Sequence, residues 1–390
     1  MYIHPFPARM APEIALKGLE NLPENFVVLD PMSGSGMVLG TAAKLGLSAI
    51  GYDLDPLACM ISRANGTSVN ETKARRACEA LILRCYEGCT DNRKLPWIDE
   101  DEETRQYINY WFAPKQQEQL RALSYHLVVQ PISASKKIAE LLRVAVSRLI
   151  ITKDPKASLA RDTAHSRPHR TITENDFDIL NALPASLEHV LSALKPNMIV
   201  ADVKTYRGDA RRMGRIPDLS IDCIVTSPPY LNAIDYMRGH KLSLVWLGFS
   251  VSELRRIRSR SVGAEIVDDH IIGEELGEFL SALHPDVDQT KRRILKKYYR
   301  DLCSVTDEAY RVLRPNRMAT YVIGNSNIKG HEIRNSDLLI TAAKRSGFRV
   351  CEQTLRVIPE NKRYMPLVNS AKSNLANRMR TEHVVVFAKT

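Results

Sequence analysis

Four consecutive residues, Ser227-Pro228-Pro229-Tyr230, carry the most specific chemistry in the chain. They end the apolar run "IDCIVT" (221–226), which reads as a buried strand, and prolines there donate no further ladder hydrogen bonds. Their rings hold a rigid extended turn and leave carbonyls free. The Pro228 carbonyl and the Ser227 hydroxyl are thus placed to accept hydrogen bonds from an amino group. Tyr230 adds a face on which a flat heterocycle can stack. Such a corner activates an amine by positioning, without covalent catalysis. The plain alternative for these residues alone is a loop that closes a strand.

A second group lies in "LDPMSGSGMVLG" (29–40), where a strand ending in Asp30 runs through small residues into a helix. Open α/β sheets build ligand crevices at such carboxyl edges. Gly34 and Gly36 let the backbone approach a ligand, with Pro31 and Ser33 shaping the turn and Asp30 placed to accept from a cationic or amino-bearing group. "AIGYDLDP" (49–56) puts Asp53 and Asp55 at the end of the next strand, about 20 residues on, where an acid accepts from ribose hydroxyls. Asp53 could equally cap the helix that follows. The dinucleotide fingerprint fails, because Leu39 stands where its third glycine belongs. That argues against a nicotinamide oxidoreductase.

Strands must position both groups. Apolar runs at 26–30, 48–53, 221–226, 318–324, 348–358 and 383–389 alternate with helical patterns such as 36–46 and 298–315, which predicts a mainly parallel sheet covered on both faces. The stretch 67–200 breaks the rhythm; it is charged and helical in pattern, and reads as an insertion. A shorter helical insertion covers 231–297. The core is expected in three parts: 1–66 with the glycine loop, 201–230 with the proline corner, and 298–390.

The formal charge is +10, with basic clusters at 143–170, 204–215, 255–260 and 291–300. Clusters of this kind suit a phosphate backbone, although each alone could be a solvated face. Seven scattered cysteines suit reduced thiols in the cytoplasm. Cys78, Cys85 and Cys89 have the spacing of one helical face, so no metal is expected. No apolar run approaches membrane-spanning length, and "MYIHPFPARM" has no signal-peptide core.

"DPMSGSG" resembles the S-adenosylmethionine-binding motif of amino-group DNA methyltransferases, and "TSPPY" resembles their catalytic motif. The resemblance implies a Rossmann-like class I methyltransferase: a seven-stranded, mostly parallel sheet whose antiparallel last strand sits beside the fifth. It implies S-adenosylmethionine as cofactor, double-stranded DNA as partner, and transfer of a methyl group to the exocyclic amino group of an extruded base stacked on Tyr230. "HPFPARMAPEIA" (4–15) resembles the family's N-terminal motif, in which Phe6, Pro7 and Ala8 would flank the methionine moiety. "YRGDARR" (206–212) resembles the segment whose acid, Asp209 here, reaches the adenine. Serine before Pro-Pro points to cytosine N4, with adenine N6 as the alternative. Transfer to cytosine C5 needs a Pro-Cys pair, and the chain has none. An RNA guanine methyltransferase would carry an RNA-binding domain ahead of the loop, and only 29 residues precede Asp30. An inactive nucleic-acid-binding module is the reading from a different class. Within the second insertion, Tyr236, Arg238, His240 and Lys241 are expected to touch DNA.

Overall fold

The computed structural model describes residues 2–6, 10–87, 93–163, 168–194, 201–231, 236–263, 279, 284–285, 287–328, 331–359 and 380–390. Its strands are β1 (Val27–Asp30), β2 (Ser48–Asp53), β3 (Ala160–Arg161), β4 (His169–Arg170), β5 (Val203–Arg207), β6 (Ile221–Thr226), β7 (Leu313–Ile323), β8 (Ser326–Ile328), β9 (His331–Ile333), β10 (Arg349–Val357) and β11 (Thr381–Lys389). Seven of them form one sheet in the order β10-β11-β7-β6-β1-β2-β5. Every pairing from β7 through β5 is parallel, and β11 runs antiparallel between β7 and β10. The parallel centre is what the alternating pattern predicts, and the antiparallel last strand, β11 beside β7 (fifth of the sheet's strands in chain order), is what the family resemblance implies. All six residues of β6 are buried; four are apolar, and the two polar ones are paired, Asp222 with Arg314 and the Val27 amide, and Thr226 with Asp30.

Helices cover both faces. On one side α1 (Pro12–Leu19) and α2 (Met37–Lys44) pack Ala15, Leu19, Val38 and Leu39 on Val28, Cys223 and Val225. The next helices are α3 (Pro56–Asn65), α4 (Glu71–Tyr86), α5 (Pro96–Asp99), α6 (Glu102–Trp111), α7 (Pro114–Ser124), α8 (Lys136–Ile150), α9 (Ile179–Leu194), α10 (Tyr236–Leu244) and α11 (Val251–Ser259). The last two are α12 (Gln289–Val312) and α13 (Asn335–Arg345), which line the opposite face with Leu302, Val305, Leu339 and Ala343.

The described parts of the two insertions share one hydrophobic core. Trp246, just after α10, is 1% exposed and meets Phe112 edge-on at 5.3 Å between centroids. The Trp97 indole donates to the Val245 carbonyl at 2.8 Å, and the Ser124 hydroxyl donates to the Trp246 carbonyl at 2.6 Å. The result is a single helical lobe seated on α3 and the N-terminal residues Ile3 and Phe6. Cys78 and Cys85 are buried on α4, while Cys89 lies outside the described residues. Among the described residues, no helix is long and apolar enough to cross a membrane.

Candidate active site

The sheet changes its direction of winding between β1 and β6, and open sheets bind ligands beyond the carboxyl ends of strands at such a point. β1 delivers the glycine turn there and β6 delivers the proline corner. They are adjacent, with Val28 opposite Cys223 and Leu29 opposite Ile224. A direct bond joins them: the Thr226 hydroxyl donates to Asp30 Oδ1 at 2.7 Å.

The turn is held open by its backbone. Gly34 and Gly36 have φ of 48° and 74°, and a Cβ on Gly36 would lie 2.8 Å from the Ser62 Cα. The Asn65 amide donates to the Ser35 carbonyl at 3.1 Å, anchoring the turn to α3. Asp53 closes it from β2, accepting from the Gly34 and Asp55 amides at 2.8 and 2.9 Å. Helix α3 takes its cap from Asp55, whose Oδ1 accepts from the Leu57 and Ala58 amides. The capping role open to Asp53 in the sequence therefore falls two residues later, and Asp53 stays at the mouth of the turn.

Burial governs the acids. It pushes Asp30 up to about 7, against the opposing hydrogen bonds from Thr226 and the Met32 amide. It pushes Asp53 up to about 6, helped by the neighbouring Asp55 carboxylate. Both donors to Asp30 land on Oδ1, so Oδ2 has no described donor. The Ser33 hydroxyl is buried at the same turn without a partner among the described residues. A crevice with an unpaired hydroxyl, two poised carboxylates and a backbone that admits no Cβ fits a cationic, ribose-bearing group.

At the proline corner, the Ser227 hydroxyl donates to the Val322 carbonyl at 3.0 Å, which leaves its lone pairs as acceptors. Tyr298 donates to the Pro229 carbonyl at 3.0 Å and braces the corner from α12. Burial raises both Tyr230 and Glu382 above their ordinary values, the Glu382 charge adding to the rise at Tyr230. Glu382 is itself paired with Arg356.

The remaining expected residues fall in different places. Phe6 is buried, with its ring edge 3.5 Å from where a Gly34 Cβ would stand. Pro7 and Ala8 lie outside the described residues. Asp209 follows β5, and both of its oxygens accept from Arg211, which also reaches Asp301 at 2.6 Å. His240 is not a DNA contact: it is 1% exposed, and its Nδ1 bonds Asp55. Two residues that contact the crevice's residues, Thr226 through Asp30 and His240 through Asp55 and Phe6, went unassigned to it in the sequence. The signal available for His240 was its i, i+4 spacing from Tyr236, which puts both on one helical face.

Each basic cluster spends at least one member internally: Arg143 on Glu140, Arg211 on Asp209 and Asp301, Arg255 on Glu103, and Lys297 on Asp301.

A sheet of this order, with an acid-lined glycine turn facing a diproline corner, defines an S-adenosylmethionine-dependent methyltransferase. No family model matches the chain. Its sequence relatives are Type II methyltransferases. M.MvaI from Kocuria varians is 23% identical over 427 aligned positions, covering 96% of this chain and 87% of the relative. M.AvaI from Nostoc sp. is 21% identical, covering 86% and 75%. M.BsoBI from Geobacillus stearothermophilus is 23% identical, covering 64% and 53%. The chain is thus similar, at 21–23% identity, to Type II methyltransferases. Solved structures overlap weakly: TrmN from Thermus thermophilus at 11% identity over 97% of this chain and 48% of that one, TM-score 0.33. A TehB-like SAM-dependent methyltransferase from Corynebacterium glutamicum gives 11%, 97% and 87%, TM-score 0.30. These scores add nothing to the strand order itself.

Proposed function

We propose that the protein methylates the exocyclic amino group of a base in double-stranded DNA, and that the base is cytosine, modified at N4. The observation that carries this reading is the Thr226–Asp30 bond, which fixes the amine-orienting corner directly beside the glycine turn.

In this reading Asp30, Pro31, Ser33, Gly34, Gly36 and Asp53 hold S-adenosylmethionine, with Phe6 and Pro7 flanking its methionine end. Asp209 borders the adenine end through the ion pair with Arg211, and Asp55 acts through the cap of α3. Bound there, the cofactor supplies an electrophilic methyl group. The chain's own residues prepare the amine. Ser227, with its proton given to Val322, and the Pro228 carbonyl accept from the two amino hydrogens. That turns the nitrogen lone pair toward the turn. Pro229 keeps the corner rigid through Tyr298, and Tyr230 stacks the extruded base. The helical lobe and other members of the basic clusters supply the phosphate contacts.

Serine at the first corner position favours cytosine N4 over adenine N6. Incubation with tritium-labelled cofactor and mixed-sequence duplex DNA tests the whole reading: label in N4-methylcytosine is expected, and label-free DNA at saturating enzyme would reject it.

A further inference from the structure

Among the buried groups that the mechanism leaves unused is an imidazole beside the cofactor turn. His240 sits on α10, in the helical lobe, yet its ring packs within 5.0 Å of Phe6 and 6.3 Å of Tyr236, centroid to centroid. Phe6 is the residue that borders Gly34 in the cofactor turn. The imidazole Nδ1 bonds Asp55 Oδ2, while Asp55 Oδ1 caps α3. A carboxylate only accepts, so Nδ1 is the nitrogen that donates to Asp55, and the tautomer with its proton there carries its lone pair at Nε2. That nitrogen is fully buried and has no hydrogen-bond partner among the described residues. An acceptor left bare in the interior carries a desolvation penalty that is relieved when a ligand donates to it.

We infer that His240 Nε2 is a cofactor-binding group, accepting a hydrogen bond from a donor on S-adenosylmethionine, either a ribose hydroxyl or the α-ammonium. This rests on the reading that the glycine turn binds that cofactor. It also gives the helical lobe a direct hand on the donor, through an Asp55–His240 pair that bridges the lobe and the sheet.

Calorimetric titration with S-adenosylhomocysteine tests it without turnover. His240→Asn keeps a donor toward Asp55 but removes the Nε2 acceptor. It should weaken binding about tenfold while the ligand-free protein melts within a few degrees of wild type. His240→Gln, whose amide oxygen reaches near the Nε2 position, should restore affinity to within about threefold of wild type. Titration with 5′-methylthioadenosine, which lacks the amino-acid end, distinguishes the two donors. A matching loss in His240→Asn assigns the ribose, and no loss assigns the ammonium; either supports the inference. Wild-type affinity in His240→Asn, with Asp53→Asn weakened, would overturn it and leave the pocket standing. Absence of rescue in a folded His240→Gln would also overturn the acceptor role. If the wild-type protein binds neither ligand, the pocket reading and this inference fall together.

Discussion

The two crevice acids make cofactor binding steeply dependent on pH in a range where most carboxylates are silent. Asp30 titrates at about 7 and Asp53 at about 6, both lifted chiefly by burial. A cationic sulfonium ligand with ribose donors binds the ionised forms, so protons held by the ligand-free protein must leave on binding. The sign follows: affinity rises with pH through both titrations and levels off above about pH 7.5. Going down from about pH 8 to about pH 5.5, Asp30 contributes roughly 30-fold and Asp53 roughly 4-fold, together on the order of 100-fold in Kd. Calorimetry across that range in two buffers of different ionisation enthalpy measures both the affinity and the released protons. Asp30→Asn should remove the larger part of the slope and most of the proton release near neutrality. A Kd that stays within about threefold from pH 8 to pH 5.5, with no buffer dependence, would refute the reasoning.

Other perturbations separate the parts of the site. Tyr230→Ala should lower kcat/KM by roughly 10- to 100-fold, the worth of one stacked base, with cofactor Kd unchanged; steady-state kinetics alongside calorimetry checks both halves. Asp53→Asn should weaken cofactor binding by roughly tenfold or more, since the charge-assisted acceptor is lost. Gly36→Ala places a Cβ 2.8 Å from the Ser62 Cα at a φ of 74°, so thermal unfolding should show a loss of at least about 2 kcal/mol. Trp246→Ala, in the middle of the helical lobe, should cost about 3–5 kcal/mol, read as a lowered denaturation midpoint.

The sheet was legible because its central strands are buried on both faces and so carry apolar runs that need no partner to be recognised. The edge strand β5 was not. Its five residues, "VKTYR", are half-buried or exposed, none fully buried, and read as part of a basic cluster. The turn and the corner were legible because glycine and proline report backbone geometry directly. What joins them was not, since the Thr226–Asp30 bond spans positions 196 apart in sequence. The same holds for His240, a helical residue that looks like a surface contact until α3 is laid against it. The two insertions read separately because nothing local shows that Trp246 fills a socket made by Phe112. Several basic residues that read as a phosphate footprint are neutralised by acids distant in sequence, as Arg255 is by Glu103.

Base-resolution sequencing of modified bases in DNA from cells expressing the chain tests the central claim most directly. The adjacency of the glycine turn and the Ser227-Pro228-Pro229-Tyr230 corner predicts N4-methylcytosine at one short recurring motif, strongly reduced when Tyr230→Ala is expressed in place of the wild type. Unmodified DNA, or a methyl group on a ring carbon, would contradict it.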